Sequence, residues 1–218
     1  MLESLYTKTF LILGSQLIIT WVATIFVIRF VTKLYYAKTP GISATKNEDG
    51  LLDLEIDWVT IKPYFYSLLI SDIVVFLILL FNGPQNLSVG LPLFACWSIL
   101  TGIMLALALI SVGENLGGKV LAITMTITVG CALLGIYSGI DFGFMGGFLF
   151  IALLLLLLGN LIRLFISIPR ANQRIMAFIG VLIFTGYLLY DFNRLAKLVE
   201  QCESNSWAVA MRLSIEIT

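Results

Sequence analysis

Long apolar runs separated by short polar punctuation set the pattern of this chain. A helix that crosses a bilayer needs about 20 mostly apolar residues. Runs of that order extend from Phe10 to Val31, from about Tyr64 to Phe81, and from about Leu91 to Val112. Three more cover about Lys119 to Tyr137, Phe144 to near Ile168-Pro169, and Arg174 to Leu195. Between them stand breakers of the expected kind: Asn82-Gly83-Pro84, Gly113-Glu114-Asn115 and Ser138-Gly139-Ile140-Asp141. A last apolar run begins near Trp207 and reaches Thr218, short of a membrane width. Six full spans and the first part of a seventh are therefore expected, with the natural protein continuing past Thr218. The first run is longer than a signal-peptide core and lacks a small-residue cleavage site, so it reads as a retained span.

Residues 32–62 make the long polar segment, with Lys33, Lys38, Lys46, Glu48, Asp49, Asp53, Glu55 and Asp57. A solvated loop with a short interfacial helix around Leu51 to Trp58 is expected there. The whole predicts an all-α, polytopic membrane protein: a seven-transmembrane-helix bundle forming a single domain over 1–218. Gly143 and Gly147 form a GxxxG at the start of the fifth span, either a helix-packing signal or a loop-end glycine cluster.

Composition narrows the function classes. Of 218 residues, 60% are hydrophobic and 12% charged, and the mean hydropathy is +1.02. A soluble domain averages about 45–50% apolar and about 25% charged. A soluble enzyme, a disordered chain and a collagen-like fibre are excluded. Thirteen basic side chains balance thirteen acidic ones, which provides no basic face for nucleic acid. The absence of His removes the commonest metal ligand and the usual neutral-pH acid–base group, so proton chemistry must run through carboxylates. No nucleophile motif and no protease-like aspartate pair points to an enzyme, and nothing implies a bound cofactor. Cys96, Cys131 and Cys202 lack metal-site or disulfide spacing and read as packing residues. Lys33, Lys38, Lys46, Lys62, Lys119, Arg170 and Arg174 fall after spans one, three and five, against Lys8, Arg194 and Lys197 on the other side. The positive-inside rule then places the first set of loops in the cytosol.

Ionisable groups at membrane depth carry the functional information, because each costs about 2.5–3.5 kcal/mol to insert. Three acids qualify: Asp72 in span two, Asp191 near the end of span six, and Glu216 in span seven. Arg29 and Arg163 lie near helix ends, where snorkelling explains them. Arg212 precedes Glu216 by one turn, so the two share a face as potential partners. Tyr187, Asp191 and Arg194 are spaced by four and three on one face, next to Tyr190; an interfacial cluster with a solvated Asp is the simpler reading of that spacing. Asp72 either lines a pathway or bonds a neighbouring helix. Two acids brought close in a low dielectric share a proton, which makes a proton-sensitive gate or a weak oxygen-ligand site for Ca²⁺.

The stretch Gly180-Val181-Leu182-Ile183-Phe184-Thr185-Gly186-Tyr187-Leu188-Leu189-Tyr190-Asp191-Phe192-Asn193-Arg194-Leu195 resembles the sixth-span signature of the Bax inhibitor family. Ala210 to Ile217 resembles the start of that family's seventh span, and weaker similarity covers Leu134 to Asp141 and Gly159 to Ile162. The resemblance implies a seven-helix membrane protein with a slow, pH-sensitive Ca²⁺ leak, Ca²⁺ being the permeant ion rather than a cofactor. It implies a gating acid pair at Asp191 and Glu216, the same two acids forming any weak Ca²⁺ site. Asp72, Arg212, Tyr187, Tyr190 and Arg194 are the supporting residues. Partners would be the bilayer, Ca²⁺ and protons; in the alternative reading they are membrane proteins, a protease or cell-death factors, regulated without conduction. A bacterial inner membrane or a eukaryotic internal membrane is the expected location. The chain departs from the pattern twice: Glu replaces the usual Asp at 216, and Asn82 to Asn86 holds no basic latch, for which Arg212 is the candidate substitute.

Overall fold

A computed structural model describes residues 4–46, 52–112, 114–163, 169–200 and 207–217. Seven helices appear among them: α1 (Leu5–Tyr36), α2 (Trp58–Asn82), α3 (Leu87–Val112), α4 (Glu114–Tyr137), α5 (Met145–Arg163), α6 (Arg170–Glu200) and α7 (Trp207–Ile217). Five of the described helices are long and apolar enough to cross a membrane. In α5 the apolar stretch Met145–Gly159 is shorter, and the rest of the expected fifth span, 164–168, lies outside the described residues. The protein is an all-α, multi-pass integral membrane protein.

The helix limits follow local rules. Ser4 caps α1, its Oγ accepting from the Thr7 amide at 3.3 Å. Lys38, at φ 56°, lies just past the end of α1, and Ala37 N–H bonds Lys33 O at 3.0 Å. Gly83 N–H closes α2 on Leu79 O at 2.7 Å, where the Asn-Gly-Pro break was expected. Asp57 caps the start of α2 through Val59 N–H at 3.2 Å.

The expected interfacial helix at Leu51 to Trp58 is replaced by a β-hairpin. β1 (Ile42–Lys46) pairs antiparallel with β2 (Leu52–Ile56), Ile42 facing Ile56 and Ala44 facing Leu54. Leu52-Asp53-Leu54-Glu55-Ile56 alternates apolar and acidic residues with a period of two, which is the strand period and not the helical one. The flanking helices are also longer than expected, so the segment between them shrinks from 32–62 to 37–57.

Within the membrane region the chain divides into two compact units. The first draws on residues up to 123 and on 205–216; the second on 124–204. In the first, α1 and α3 run parallel: Thr20 Oγ1 donates to Ser98 O at 3.2 Å and Thr24 Oγ1 to Gly102 O at 3.0 Å, both pairs separated by 78 positions. A Cβ on Gly102 would stand 2.6 Å from Thr20 O, so the backbones approach closely only because that residue is glycine. α2 runs antiparallel to α3, with Phe76 and Trp97 rings 5.2 Å apart.

In the second unit α4 and α6 run parallel. Cys131 Sγ bonds Thr185 O at 3.7 Å, and Gly135 rests on Leu189 and Phe192. α5 and α6 run antiparallel, with three glycines each facing a large side chain: Gly186 against Leu149, Gly146 against Tyr190, Gly159 against Met176. The GxxxG pair takes no part in this packing. Gly143 precedes α5 and bonds Asp141, while nothing approaches within 4 Å of a Cβ on Gly147.

Candidate functional site

The C-terminal third of α6 is the polar centre of the second unit. Asp191 is 7% exposed, buried rather than solvated. Tyr187 lies one helical turn before it. Tyr187, Tyr190 and Arg194 are half-buried, and the Tyr190 ring seats on Gly146 of α5. A Cβ on Gly146 would stand 3.0 Å from the Tyr190 ring, so the ring has its place because that residue is glycine.

Asn193, two residues beyond Asp191, is 6% exposed and holds the α4–α5 turn. Its Nδ2 donates to Gly135 O at 3.1 Å and Ile140 O at 2.9 Å, and its Oδ1 accepts from Phe142 N–H at 3.1 Å. One carboxamide thus satisfies three main-chain groups, one in the last turn of α4 and two in the turn after it, groups that would cost free energy if left bare in a low-dielectric setting. Asp141, in the same turn, pairs with Lys197 of α6 and accepts from Gly143 N–H at 2.7 Å. The Lys197 ammonium and then the Gly143 amide hold the Asp141 carboxyl below the ordinary carboxylate range. Sequence reading took Asn193 as part of a motif and did not assign it this role; a polar side chain in the last turns of an apolar helix was the available signal.

Glu216 belongs to α7 in the first unit. Arg212 Nε donates to Glu216 Oε1 at 3.1 Å, the contact that the one-turn spacing predicted. The Glu216 side chain is 25% exposed and that of Arg212 65%. α7 itself is well anchored: Ala210, Met211, Leu213, Ser214 and Ile215 are buried, and Ser214 Oγ bonds Thr9 O of α1 at 3.2 Å. Asp191 and Glu216 therefore each stand on a packed helix, one in each unit. Among the described residues no group of three or more His, Cys, Asp or Glu side chains is placed to hold a metal.

Asp72 stands near the middle of the span Ile61–Asn82, half-buried, and Thr101 Oγ1 of α3 donates to its Oδ1 at 3.3 Å. Of the two sequence expectations for Asp72, the bond to a neighbouring helix is present.

The first unit also holds polar groups that were not singled out from sequence. Lys8, Thr9, Gln16, Thr20 and Thr24 face inward on α1, while Phe10, Leu17, Ile18, Val22 and Phe26 face outward. The spacing of 7, 4 and 4 between Thr9, Gln16, Thr20 and Thr24 carried that signal, because it keeps one helical face. Lys8 Nζ lies 5.4 Å from the Trp207 ring centre. Gln16 Oε1, Thr9 Oγ1 and Trp97 Nε1 are buried without a hydrogen-bond partner among the described residues.

Comparison with known proteins agrees with the sixth-span motif. The family described as "Inhibitor of apoptosis-promoting Bax1" matches residues 2–218. Bax inhibitor 1 of Schizosaccharomyces pombe is 30% identical over 170 residues, covering 74% of this chain and 62% of that protein. Protein LIFEGUARD 1 of Arabidopsis thaliana is 34% identical over 77 residues, 35% of this chain and 33% of its own. An uncharacterized membrane protein of Vibrio cholerae is 30% identical over 97 residues, 44% of this chain and 43% of that one. These matches span from a third to under two thirds of the relatives' own lengths. With the family match running the length of the chain and the motif on α6 intact, this protein belongs to the Bax inhibitor family.

Proposed function

We propose that this protein is a pH-sensitive, Ca²⁺-permeable leak channel gated by a proton-sharing pair, Asp191 and Glu216, and that it modulates Ca²⁺ homeostasis and through it cell death. The observation that carries this reading is the burial of Asp191 in the C-terminal third of a membrane-crossing helix in a family member. A carboxylate at that depth persists only for a reason, and proton sharing with a second acid is one that also supplies a gate. Protonation neutralises the pair, loosens its hold on neighbouring helices and lowers its attraction for Ca²⁺. In this reading Arg212, already bonded to Glu216, takes the part of the basic latch that the 82–86 stretch does not offer.

The test is Ca²⁺ flux into indicator-loaded liposomes carrying the purified protein, followed against pH. Asp191→Asn with Glu216→Gln is expected to abolish the pH dependence of the flux. Flux and pH response both unchanged in that variant would overturn the gate.

A non-conducting regulator of a membrane protease or of cell-death factors is the second reading. It is favoured by the name of the matched family, which describes inhibition of a protein. Under it, the acid-less variant still co-purifies its partner and no flux is measured in liposomes.

A further inference from the structure

Within the first unit, two polar side chains on the inward face of α1 are buried with their hydrogen bonding unanswered. Thr9 is 0% exposed and Gln16 3% exposed, yet Thr9 Oγ1 and Gln16 Oε1 have no hydrogen-bond partner among the described residues. The next polar residues along that face are paired: Thr20 Oγ1 donates to Ser98 O and Thr24 Oγ1 to Gly102 O. A buried polar atom without a partner costs free energy, and lipid, with neither donor nor acceptor in its hydrocarbon, does not relieve it.

The two residues lie on one line along the helix. Seven positions are nearly two full turns, so Thr9 and Gln16 share a side of α1 and stand about 10 Å apart along its axis. Helical side chains lean toward the N-terminus, which carries the Gln16 carboxamide back over the preceding turn, towards Thr9. The gap left between its oxygen and the Thr9 hydroxyl is then about 6 Å, the length of two hydrogen bonds laid end to end. Ile12 and Leu13, themselves buried, flank this line on α1. At the Thr9 end α7 is in contact, with Ser214 Oγ on Thr9 O at 3.2 Å and both Met211 and Leu213 buried. At the other end Phe94 of α3, 3% exposed, stands level with Gln16 in the register that the Thr20 and Thr24 bonds set.

The chemistry of the two atoms selects the ligand. A threonine hydroxyl can donate and accept, whereas a carboxamide oxygen only accepts. Water takes a proton from the first and gives one to the second, and it fits a gap of that length. A lipid tail satisfies neither atom. Ca²⁺ takes about six to eight oxygen ligands, and Lys8, next to Thr9 and 9% exposed, places a positive charge at that end.

We propose that internal water binds between Thr9 and Gln16, accepting from the Thr9 hydroxyl and donating to Gln16 Oε1. The site is separate from the proposed gate, and it stands whether or not the protein conducts Ca²⁺.

The experiment is X-ray radiolytic labelling of the full chain in lipid nanodiscs, in which hydroxyl radicals formed from bound water oxidise the side chains that touch it. Ile12 and Leu13, at 1% and 8% exposure, are the reporters; Leu79 and Leu149, at 0% and 3%, are controls of similar reactivity. In the native chain the reporters are expected to be oxidised several-fold faster than the controls. Thr9→Val with Gln16→Leu should bring the reporters down to the rate of the controls and leave the controls unchanged, and Thr9→Ser, which keeps a hydroxyl, should retain the fast rate. Reporters no faster than Leu79 in the native chain would overturn the proposal. So would fast labelling that survives the double variant, since the water would then be held by other groups. Should the double variant fail to fold, the comparison of Ile12 and Leu13 with Leu79 and Leu149 in the native chain decides the question alone.

Discussion

In the first unit the polar groups that join helices are hydroxyls in helix interiors: Thr20 and Thr24 of α1 reach carbonyls of α3, and Ser214 of α7 reaches a carbonyl of α1. In the second unit much of that task falls to one carboxamide, Asn193 of α6, which gathers the main chain at the end of α4 and in the turn after it. The two solutions answer different needs. A helix interior already satisfies its own main chain, so a hydroxyl sharing a carbonyl adds modest glue, averaging about 0.6 kcal/mol in membrane proteins. A turn leaving a helix has bare amides and carbonyls, and their satisfaction decides whether that turn can be buried at all. Polar residues of similar burial thus differ several-fold in consequence according to what their partners would otherwise lack.

The difference can be tested most sharply at Asn193. Asn193→Leu keeps the branched shape and heavy-atom count but leaves Gly135 O, Ile140 O and Phe142 N–H without this partner. A loss of about 3 kcal/mol is expected in reversible unfolding from mixed micelles, from one buried and two part-buried bonds at ~1–3 kcal/mol each with partial rescue by water. A loss under about 1 kcal/mol would mean that the turn is solvated and the contrast between the units is false.

The close-packed glycines come next. A Cβ on Gly135 would stand 2.8 Å from Phe192 Cβ and 3.0 Å from Leu189 O; one on Gly102 would stand 2.6 Å from Thr20 O. Gly135→Ala and Gly102→Ala should each cost about 1–3 kcal/mol, since the obstructing atoms include backbone that cannot rotate away. Comparable losses at the two sites would show that both units use close backbone approach and differ only in their polar contacts.

Thr24→Val should cost about 0.6 kcal/mol, because the hydroxyl lost is glue and the carbonyl of Gly102 keeps its helical bond. A loss as large as that at Asn193 would erase the distinction drawn between interior and end.

The smallest effect is expected at Asp141. Its carboxyl is held below the ordinary carboxylate range by Lys197 and Gly143, so the folded state binds its proton less readily than the unfolded chain does. The contribution is fully present above the unfolded carboxylate value and is lost as pH falls through the depressed folded value. Asp141→Asn should therefore leave stability flat between neutral pH and about pH 5 and remove only an acid-side slope. With both groups substantially solvent-accessible, the change is expected to register in a carboxyl NMR titration before it registers in unfolding.

Much of this fold was legible because membrane helices are decided by length and apolar content. Breaks at Asn82-Gly83-Pro84 and Ser138-Gly139 fell where the helices end, and Arg212 met Glu216 as one helical turn requires. The pairing of Ile42–Lys46 with Leu52–Ile56 was less legible, because the strict alternation of Leu52 to Ile56 covers only five residues within a long polar segment. The inward stripe of α1 was less legible for a different reason. In water a polar residue on an amphipathic helix marks the outer face, whereas in lipid the preference inverts and Thr9, Gln16, Thr20 and Thr24 mark the inner one.

The sequence by itself determined the number and limits of most helices, the membrane as solvent, the family motif on α6 and the few acids at membrane depth. All of these follow from local composition and periodicity, which act within one helix at a time. Tertiary structure alone decided that Asp191 is buried and not solvated, that Asn193 ties down the α4–α5 turn, and that Asp72 meets Thr101 across a register of α2 on α3. Those facts depend on which faces meet, and glycine positions far apart in the chain, such as Gly102 against Thr20 and Gly135 against Phe192, set how closely the helices approach.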